Sequence, residues 1–343
     1  MRTDLIPISI LTGFLGSGKT TILGHLLRRR GFSRTAVIIN EFGEVGLDHQ
    51  LVEASEGSFI ELKTGCLCCK IRTDLAQTVQ DMLQRRDEGN CSPFDRIVIE
   101  TSGLADPAPI LQTLMTDTSI AGRVMLGGVV TTVDTVTGAT TLEQEDISQK
   151  QVAVADRIVL TKLDLNGPAQ PVLLRRLAEL NAGAPVLSAD RGKIDSQCLF
   201  SAGLYDPHVR SLNVNSWLAE DRRSHARHDA DIQTYTIVRK EPIRAITLTL
   251  FLETLAEHCG ADLLRLKGIV NIAERPDRPA VIHGVQHVFH APAWLKDWPS
   301  DNRSSRIVFI TRRVPQRWVE ALFEAIGAEV AGVSVESKRR AAV

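Results

Sequence analysis

The sequence has no long hydrophobic run and no large excess of charge, and its first residues do not have the pattern of a signal peptide. No apolar stretch in the 343 residues approaches the roughly 20 residues that a membrane-spanning helix needs. The formal net charge is −1, which gives no electrostatic argument for binding nucleic acid or an anionic membrane. The N-terminal segment MRTDLIPISI does not have the charged region, apolar core and cleavage site of a signal peptide. We therefore predict a cytoplasmic protein with neither a nucleic-acid nor a membrane partner.

Cysteine is also scarce, with six residues in the chain, but three of the six cluster as Cys66, Cys68 and Cys69. Thiols stay reduced in the cytoplasm, so we interpret such a cluster as metal-binding or catalytic rather than as a disulfide framework. From the residues alone, three hypotheses stay open. The thiols hold a transferable soft or borderline metal ion, sense oxidation, or serve as small apolar packing at the start of a helix.

A phosphate-binding loop is the clearest motif. The segment GFLGSGKT at residues 13–20 fits the pattern G-x-x-x-x-G-K-[ST] and lies between an apolar strand-like run and a helical pattern. Glycines let the backbone approach phosphate oxygens, and the N–H groups of a helix start attract the anion. We expect Lys19 to reach the β- and γ-phosphates and the Thr20 hydroxyl to bind Mg²⁺. The predicted nucleotide-binding residues of this loop are Gly13, Gly16, Ser17, Gly18, Lys19, Thr20 and Thr21.

Apolar strand-like runs alternate with helical patterns over the first two thirds of the chain. This alternation predicts an α/β fold, a P-loop NTPase with a mostly parallel sheet flanked by helices. The remainder predicts a smaller α+β domain. The expected organisation is a phosphate-loop domain at residues 1–210, a linker at 211–231, the α+β domain at 232–330 and a tail at 331–343. In the second domain, we expect His283 and His287 to share one face of a single strand, with His290 on the other face.

A second nucleotide motif follows a later strand. TKLD at residues 161–164 resembles the N-K-x-D element that reads guanine. Asp164 can accept hydrogen bonds from two guanine donors that adenine does not present, and Lys162 is expected to lie along the base. Thr161 replaces the usual asparagine, yet it can still hydrogen-bond the phosphate loop with a shorter reach. Ser188, in the segment LSAD, is a candidate for the backbone contact to the guanine carbonyl.

Carboxylates near the predicted γ-phosphate position complete the candidate catalytic set. IVIETSG at residues 97–103 occupies the Walker B position, where Glu100 is expected to hold the Mg²⁺ shell or to orient the attacking water. Gly103 is expected to present its N–H to the γ-phosphate. Asp48, in the Gly-punctuated segment NEFGEVGLD, is a second candidate for positioning metal or water. Lys19, Glu100 and Asp48 are thus the predicted catalytic residues.

Taken in order, GFLGSGKTT, NEFGEVGLD, GCLCC, ETSGLADP and TKLDL resemble the CobW-type GTPases of the CobW/HypB/UreG group, over roughly residues 6–325. This resemblance implies a CobW-like C-terminal domain and a GTPase that carries or inserts a transition metal, zinc or cobalt. It also implies that Cys66, Cys68 and Cys69 are the metal-binding motif. The chain lacks the histidine-rich linker of some relatives and keeps only His225 and His228, which argues against metal storage there.

The function we predict is a GTP-hydrolysing metallochaperone. It binds GTP or GDP with Mg²⁺ and delivers Zn²⁺ or Co²⁺ to a client metalloprotein or metal-insertion enzyme, as a monomer or dimer. Two or three thiolates are expected to bind the ion, with Glu41, Glu44, a histidine or water as an outer ligand, and the nucleotide is expected to control the affinity. Two alternatives stay open: a regulatory GTPase with redox-sensing thiols, and an ATP-dependent P-loop enzyme of small-molecule metabolism that does not need the cysteines.

Overall fold

The computed structural model describes residues 5–29, 32–40, 59–61, 70–166, 171–194, 199–200, 231–290 and 292–340. At residues 40, 59–61, 70–74, 166 and 333–340 it describes the backbone alone. The chain divides into two compact units, Met1–Asp206 and Pro207–Val343. No helix in the described part of the chain is long and apolar enough to cross a membrane.

The first unit is built on a parallel sheet of seven strands in the order β3-β2-β4-β1-β5-β6-β7. Val and Ile fill the inner strands, which are buried on both faces as a sheet covered by helices requires. The predicted α/β class with a mostly parallel sheet is confirmed. The strands are β1 Ile6–Gly13, β2 Thr35–Asn40, β3 Phe59–Glu61, β4 Arg96–Thr101, β5 Val124–Asp134, β6 Arg157–Thr161 and β7 Val186–Ser188.

Helices connect these strands. In α1, Ile22, Leu23 and Leu26 form a buried stripe that packs into one cluster with Leu11, Val98 and Val130 of the sheet. Helix α3 and the one-turn helix α6 were not predicted. The helices are α1 Lys19–Leu27, α2 Lys70–Asp87, α3 Ala108–Thr116, α4 Gly138–Gln144, α5 Asp146–Ala153, α6 Leu163–Asn166 and α7 Pro171–Leu180.

The sheet order brings the predicted motifs to one edge. Strand β1 lies between β4 and β5, so the phosphate loop that follows β1 has the ends of β4 and β5 on either side. Because all seven strands are parallel, the ends of β6 and β7 face the same way. Ligands of such sheets bind outside the carboxyl ends of the strands, where the strand order reverses. The fold therefore places the phosphate loop, ETSG and TKLD around one crevice.

The second unit contains a mainly antiparallel sheet in the order β11-β10-β9-β13-β8, with β12 paired to β10. Two helices cover one face, where Tyr235 stacks on Phe309 at 5.4 Å and Phe251 meets Phe323 edge-on at 5.0 Å. This is the predicted smaller α+β unit. Its elements are β8 Ile232–Arg239, α8 Ala245–Cys259, β9 Leu263–Val270, β10 Ala280–Val285, β11 Val288–Phe289, β12 Ala293–Trp294, β13 Ser305–Arg312 and α9 Gln316–Arg340.

The prediction for the three histidines of this unit was wrong. Strand β10 ends at Val285, and a turn at Gln286 and His287 leads back into β11, so the segment is a hairpin rather than one strand. His283 is buried in β10, whereas the exposed His287 ring bonds the Ala256 carbonyl at 2.8 Å. A left-handed residue at the turn, Gln286 with φ of 52°, reverses the chain without a glycine there, which hid the hairpin from the sequence pattern.

Candidate nucleotide site

Left-handed glycines shape the phosphate loop. Gly16 has φ of 68° and Gly18 has φ of 92°, values that side chains other than glycine rarely adopt. Gly13, with φ of 142°, lies so close to its neighbours that an added Cβ would fall 2.7 Å from Ser17 Oγ. Helix α1 begins immediately after Gly18, and no side chain caps its start. The first N–H groups of α1 therefore point into the loop, as phosphate binding requires.

Lys19 folds back over this loop. Its side chain is buried, and Nζ donates hydrogen bonds to the Gly13 carbonyl at 2.8 Å and the Phe14 carbonyl at 3.1 Å. These bonds hold a positive charge inside the ring of backbone atoms that the loop forms. The ammonium group is thus already placed where it can contact the outer phosphates of a nucleotide.

Thr20 and Glu100 meet beside the loop. The Thr20 hydroxyl donates to Glu100 Oε1 at 2.7 Å, although the two residues belong to α1 and β4. Glu100 is buried at the end of β4, in register with Leu11 of β1. A hydroxyl and a carboxylate oxygen are hard donors of the kind that Mg²⁺ binds alongside water and phosphate. The pair therefore fits a Mg²⁺ ion in its chemistry.

A network of buried hydroxyls fixes the loop to the sheet. Ser17 Oγ and Thr132 Oγ1 are 2.6 Å apart, and Thr132 also donates to the Thr12 carbonyl at 3.2 Å. Thr101 donates to the Thr12 hydroxyl at 2.8 Å. Sequence reasoning missed Thr12, Thr101 and Thr132. Their one sequence signal is that each polar residue stands near the carboxyl end of an otherwise apolar strand.

The TKLD segment touches the phosphate loop directly. The Thr161 hydroxyl donates to the Ser17 carbonyl at 2.7 Å, so threonine makes the loop contact despite its shorter side chain. Lys162 adopts the left-handed conformation with φ of 58°. Asp164 follows on α6, with Oδ2 3.8 Å from Arg191 Nε, and about a third of its side chain is exposed. The carboxylate therefore remains accessible to a base.

Asp134 supports Lys162 and was not predicted. It lies buried at the end of β5, 3.6 Å from Lys162 Nζ. Its Oδ1 accepts from the N–H groups of Val136 at 2.9 Å and Thr137 at 2.6 Å, and its Oδ2 accepts from the Thr137 hydroxyl at 2.9 Å. Four contacts fix this carboxylate, so it can hold the lysine in one orientation. Nothing in the segment TVDT distinguishes this aspartate from an ordinary turn residue.

Gly103 lies against the opposite side of the loop. An added Cβ would fall 2.6 Å from Leu15 N and 2.7 Å from Leu15 Cα, which are backbone atoms of the phosphate loop. The turn after β4 and the phosphate loop therefore pack together at van der Waals distance. This places Gly103 next to the phosphate loop; its contact with a γ-phosphate stays a prediction.

Ser188 and Thr21 lie at the rim. Ser188 is the exposed last residue of β7. The N–H of the next residue, Ala189, donates a hydrogen bond to the Leu160 carbonyl at 2.9 Å. Thr21 is exposed on α1, where the loop at Gly192 packs against it. Lys19, Gly103 and Thr161 contact the phosphate loop directly, whereas Ser188 and Thr21 stay at the rim.

The predicted transition-metal ligands lie outside the described residues. These are Cys66, Cys68, Cys69, Glu41 and Glu44. The predicted catalytic residue Asp48 and the linker histidines His225 and His228 also lie outside the described residues. Within the described ranges, no group of three or more His, Cys, Asp or Glu side chains is arranged to hold a metal ion.

Comparison with known proteins identifies the family. The model of the CobW/HypB/UreG nucleotide-binding domain matches residues 7–188. The model of the cobalamin synthesis protein cobW C-terminal domain matches residues 232–327. The chain belongs to the CobW/HypB/UreG family. The resemblance inferred from the motifs is thereby confirmed, and both CobW domains are accounted for in one chain.

Among CobW relatives, the zinc chaperone YjiA of Escherichia coli K12 is 36% identical over 94% of this chain and 98% of its own length. The zinc chaperone CobW of Pseudomonas aeruginosa is 30% identical over 91% of this chain and 88% of its own. The crystal structure of the Zn(II)-bound YjiA GTPase from E. coli superimposes with a TM-score of 0.70 at 31% identity, covering 94% of this chain and 99% of that one. A YjiA variant with one glutamate and two cysteines changed to alanine is also Zn(II)-bound, with a TM-score of 0.69 at 30% identity and the same coverage.

Proposed function

We propose that this CobW-family protein is a GTP-hydrolysing zinc chaperone. One observation carries the nucleotide half of the proposal: Thr20 and Glu100 meet at 2.7 Å beside a phosphate loop that already holds the Lys19 ammonium. The similarity to zinc chaperones over nearly the whole chain supports the metal half. GTP and GDP are the proposed nucleotides, and Zn²⁺ is the proposed cargo.

Different residues of the phosphate site are proposed to bind the phosphates, hold Mg²⁺ and orient water. The loop from Gly13 to Gly18 is proposed to wrap the α- and β-phosphates, and Lys19 to exchange its bonds to the loop carbonyls for phosphate oxygens. Thr20 and Glu100 would hold Mg²⁺, which when bound neutralises charge on the phosphates. The buried Glu100 carboxylate would also orient the attacking water. Phosphoryl transfer depends on such positioning rather than on covalent chemistry with the protein.

The base site is proposed to select guanine. Asp164 would accept hydrogen bonds from the two donors on one edge of guanine, a pattern that adenine does not present. Lys162 would lie along the base, held by the buried Asp134. Thr161 joins this segment to the phosphate loop through the 2.7 Å bond to Ser17. Loop and base site are thus physically connected, and ATP-dependent chemistry is the less supported alternative.

The metal half rests on where the described strands end. Strands β2 and β3 pair with each other and end at Asn40 and Glu61, on the same edge of the sheet as the phosphate loop. The segment with Glu41, Glu44 and Asp48 begins after β2, and the one with Cys66, Cys68 and Cys69 begins after β3. In the sequence, the proposed transition-metal ligands therefore follow two strands whose carboxyl ends lie on the edge of the sheet that carries the phosphate loop. Thiolates favour Zn²⁺ strongly over Mg²⁺.

Counting zinc alone does not test this proposal, because the YjiA variant without one glutamate and two cysteines is still Zn(II)-bound. The test is a chelator-competition titration that measures the affinity of the tightest Zn²⁺ and Co²⁺ sites. Wild-type protein should bind one ion tightly, and Cys66→Ala should weaken that site at least about tenfold. Cys91→Ala is the matched control, because Cys91 is a half-buried free thiol that helix α2 separates from the cysteine cluster in the sequence.

Each alternative has its own signature in the same samples. A redox-sensing GTPase would hydrolyse GTP without tight stoichiometric metal and would change activity on oxidation of the thiols. A metabolic P-loop enzyme would keep its catalysis when all three clustered cysteines become alanine. Reduced thiolates are required to hold the ion, so the cytoplasm is the proposed location. The proposed client is a metalloprotein or a metal-insertion enzyme.

A further inference from the structure

A fully buried glutamine holds the turn that follows strand β4. Gln151 lies on α5 and has no exposed surface. Its Nε2 donates to the Gly103 carbonyl at 3.1 Å and to the Ala105 carbonyl at 3.1 Å. The two acceptors lie on either side of Leu104, so a single side-chain amide bridges the turn. Buried amides with two such bonds have little freedom to rotate.

The orientation of this amide follows from its partners. If Oε1 took the place of Nε2, an acceptor would face two carbonyl oxygens and both bonds would be lost. In the orientation that the structure has, Oε1 receives no hydrogen bond from a described residue. The contribution of the side chain therefore comes from the two bonds to the turn.

The turn is held from two further directions. Gly103 packs against the phosphate-loop backbone, where an added Cβ would lie 2.6 Å from Leu15 N. Lys150, the neighbour of Gln151 on α5, forms an ion pair with Asp106 at 3.1 Å. Asp106 in turn accepts from the Ala108 N–H at 3.0 Å, at the start of α3. The segment between β4 and α3 is thus fixed between the phosphate loop and helix α5.

Helix α5 is itself firmly anchored. The Thr131 hydroxyl of β5 donates to the Gln151 carbonyl at 2.7 Å. Asn181, which is buried just after α7, donates from Nδ2 to the carbonyls of Val152 at 2.9 Å and Ala153 at 3.2 Å. These bonds join α5 to the sheet and to the end of α7. Gln151 therefore acts from a rigid base, and the turn is the part whose position depends on it.

We propose that Gln151 is a positioning residue for GTP hydrolysis. By fixing the carbonyls of Gly103 and Ala105, it holds the turn directly after the Ser102–Gly103 peptide, whose N–H faces the γ-phosphate. This inference rests on the proposed function and on the sequence prediction that the Gly103 N–H faces that phosphate. GDP has no γ-phosphate, so a displaced turn lowers kcat for GTP while it leaves GDP affinity nearly unchanged. A positional error of about 1 Å in such a group can cost about a hundredfold in rate.

The test compares Gln151→Met with Gln149→Met in the full-length protein. Methionine has a similar length to glutamine and no donor. Gln149 lies on the same helix, and its Nε2 bonds the Leu142 carbonyl at 2.9 Å, away from the turn. Gln151→Met should lower kcat about tenfold or more with GDP affinity within about twofold, and Gln149→Met should change neither. Equal kcat in the two variants, or a parallel fall of kcat and GDP affinity in Gln151→Met, would overturn the inference.

Two further measurements keep the inference testable. If Gln151→Met does not fold, Lys150→Met is the substitute, because it removes the partly exposed ion pair that joins α5 to Asp106 of the same turn. This variant should lower kcat severalfold without changing GDP affinity. An unchanged kcat would count against the proposal. If wild-type protein binds GDP but does not hydrolyse GTP, the proposed function fails separately. Amide hydrogen exchange tests separately whether Gln151 holds the turn, because exchange across residues 103–106 should speed up in the Gln151 variant and not in the Gln149 variant; equal exchange in the two variants would overturn that part.

Discussion

Replacing Gly103 by alanine tests the packing between the turn after β4 and the phosphate loop. The new Cβ would lie 2.6 Å from Leu15 N, 2.7 Å from Leu15 Cα and 2.7 Å from Leu15 Cδ2. A leucine methyl can move aside, but the two backbone atoms can move only if the phosphate loop moves with them. Overpacking of this kind costs about 1–3 kcal/mol. If the loop bears the whole displacement, nucleotide affinity should fall by about 5- to 150-fold, since each 1.4 kcal/mol is about tenfold.

The assay is a titration with a fluorescent GDP analogue, combined with urea unfolding of the same samples. Gly24→Ala is the matched control, because Gly24 lies inside α1 and an added Cβ there meets nothing within 4 Å. That change should leave GDP affinity unchanged and raise the free energy of unfolding by about 0.5–1 kcal/mol through helix propensity. If Gly103→Ala binds GDP as tightly as wild type with unchanged stability, the described contact between turn and loop is wrong.

Three further predictions concern other groups. Asp164→Asn should lower GTP affinity about tenfold or more and raise affinity for xanthosine triphosphate, whose C2 carbonyl can accept from the new amide. Competition against fluorescent GDP measures both affinities. An unchanged preference for GTP over xanthosine triphosphate would exclude Asp164 as the residue that recognises the base. Glu100→Gln keeps an acceptor for the Thr20 hydroxyl but removes the negative charge. The kcat for GTP, measured by phosphate release, should therefore fall at least about tenfold. GDP affinity without Mg²⁺, measured by a binding assay, should stay within about twofold. Burial, and then the charge of Arg265, lower the pKa of His290 below its ordinary value of 6.5. The native state therefore takes up fewer protons than the unfolded chain, and stability present above about pH 6.5 is lost as the pH falls toward the folded pKa. Urea midpoints at pH 7.5 and 5.5 should differ less in His290→Gln than in wild type, and equal differences would contradict this.

The phosphate loop was predictable because its chemistry is local. Residues 13–20 are contiguous, their glycines and lysine have fixed spacing, and a strand and a helix flank them. The parallel class followed in the same way from alternating apolar strands and helical patterns. Helix α3 was missed because Pro107 and Pro109 stand at its start and its residues lack a clear apolar stripe: Ile110 and Leu111 are buried, and so are Gln112 and Thr113.

The residues that support the site were not predictable from one sequence. Thr132 meets Ser17 across 115 positions, and Gln151 meets Gly103 across 48. Such pairs depend on the strand order β4-β1-β5, which hydrophobic periodicity does not encode. Asp134 reads as an ordinary turn residue until the structure places Lys162 3.6 Å away. Local motifs therefore predicted which residues contact the nucleotide, and tertiary structure was needed to find what holds those groups in place.

We propose that nucleotide state controls how tightly the clustered thiols hold zinc. Emptying a site from 99:1 to 1:99 on hydrolysis requires a difference in affinity of about 10⁴-fold, or about 5.5 kcal/mol. The most direct measurement is the Zn²⁺ dissociation constant of wild-type protein by chelator competition, with a non-hydrolysable GTP analogue and with GDP, each with Mg²⁺. We expect Zn²⁺ to bind about 10⁴-fold more tightly with the GTP analogue than with GDP. In Cys66→Ala, this difference between the two nucleotide states should be lost. Equal Zn²⁺ affinity in the two nucleotide states of the wild-type protein would contradict it.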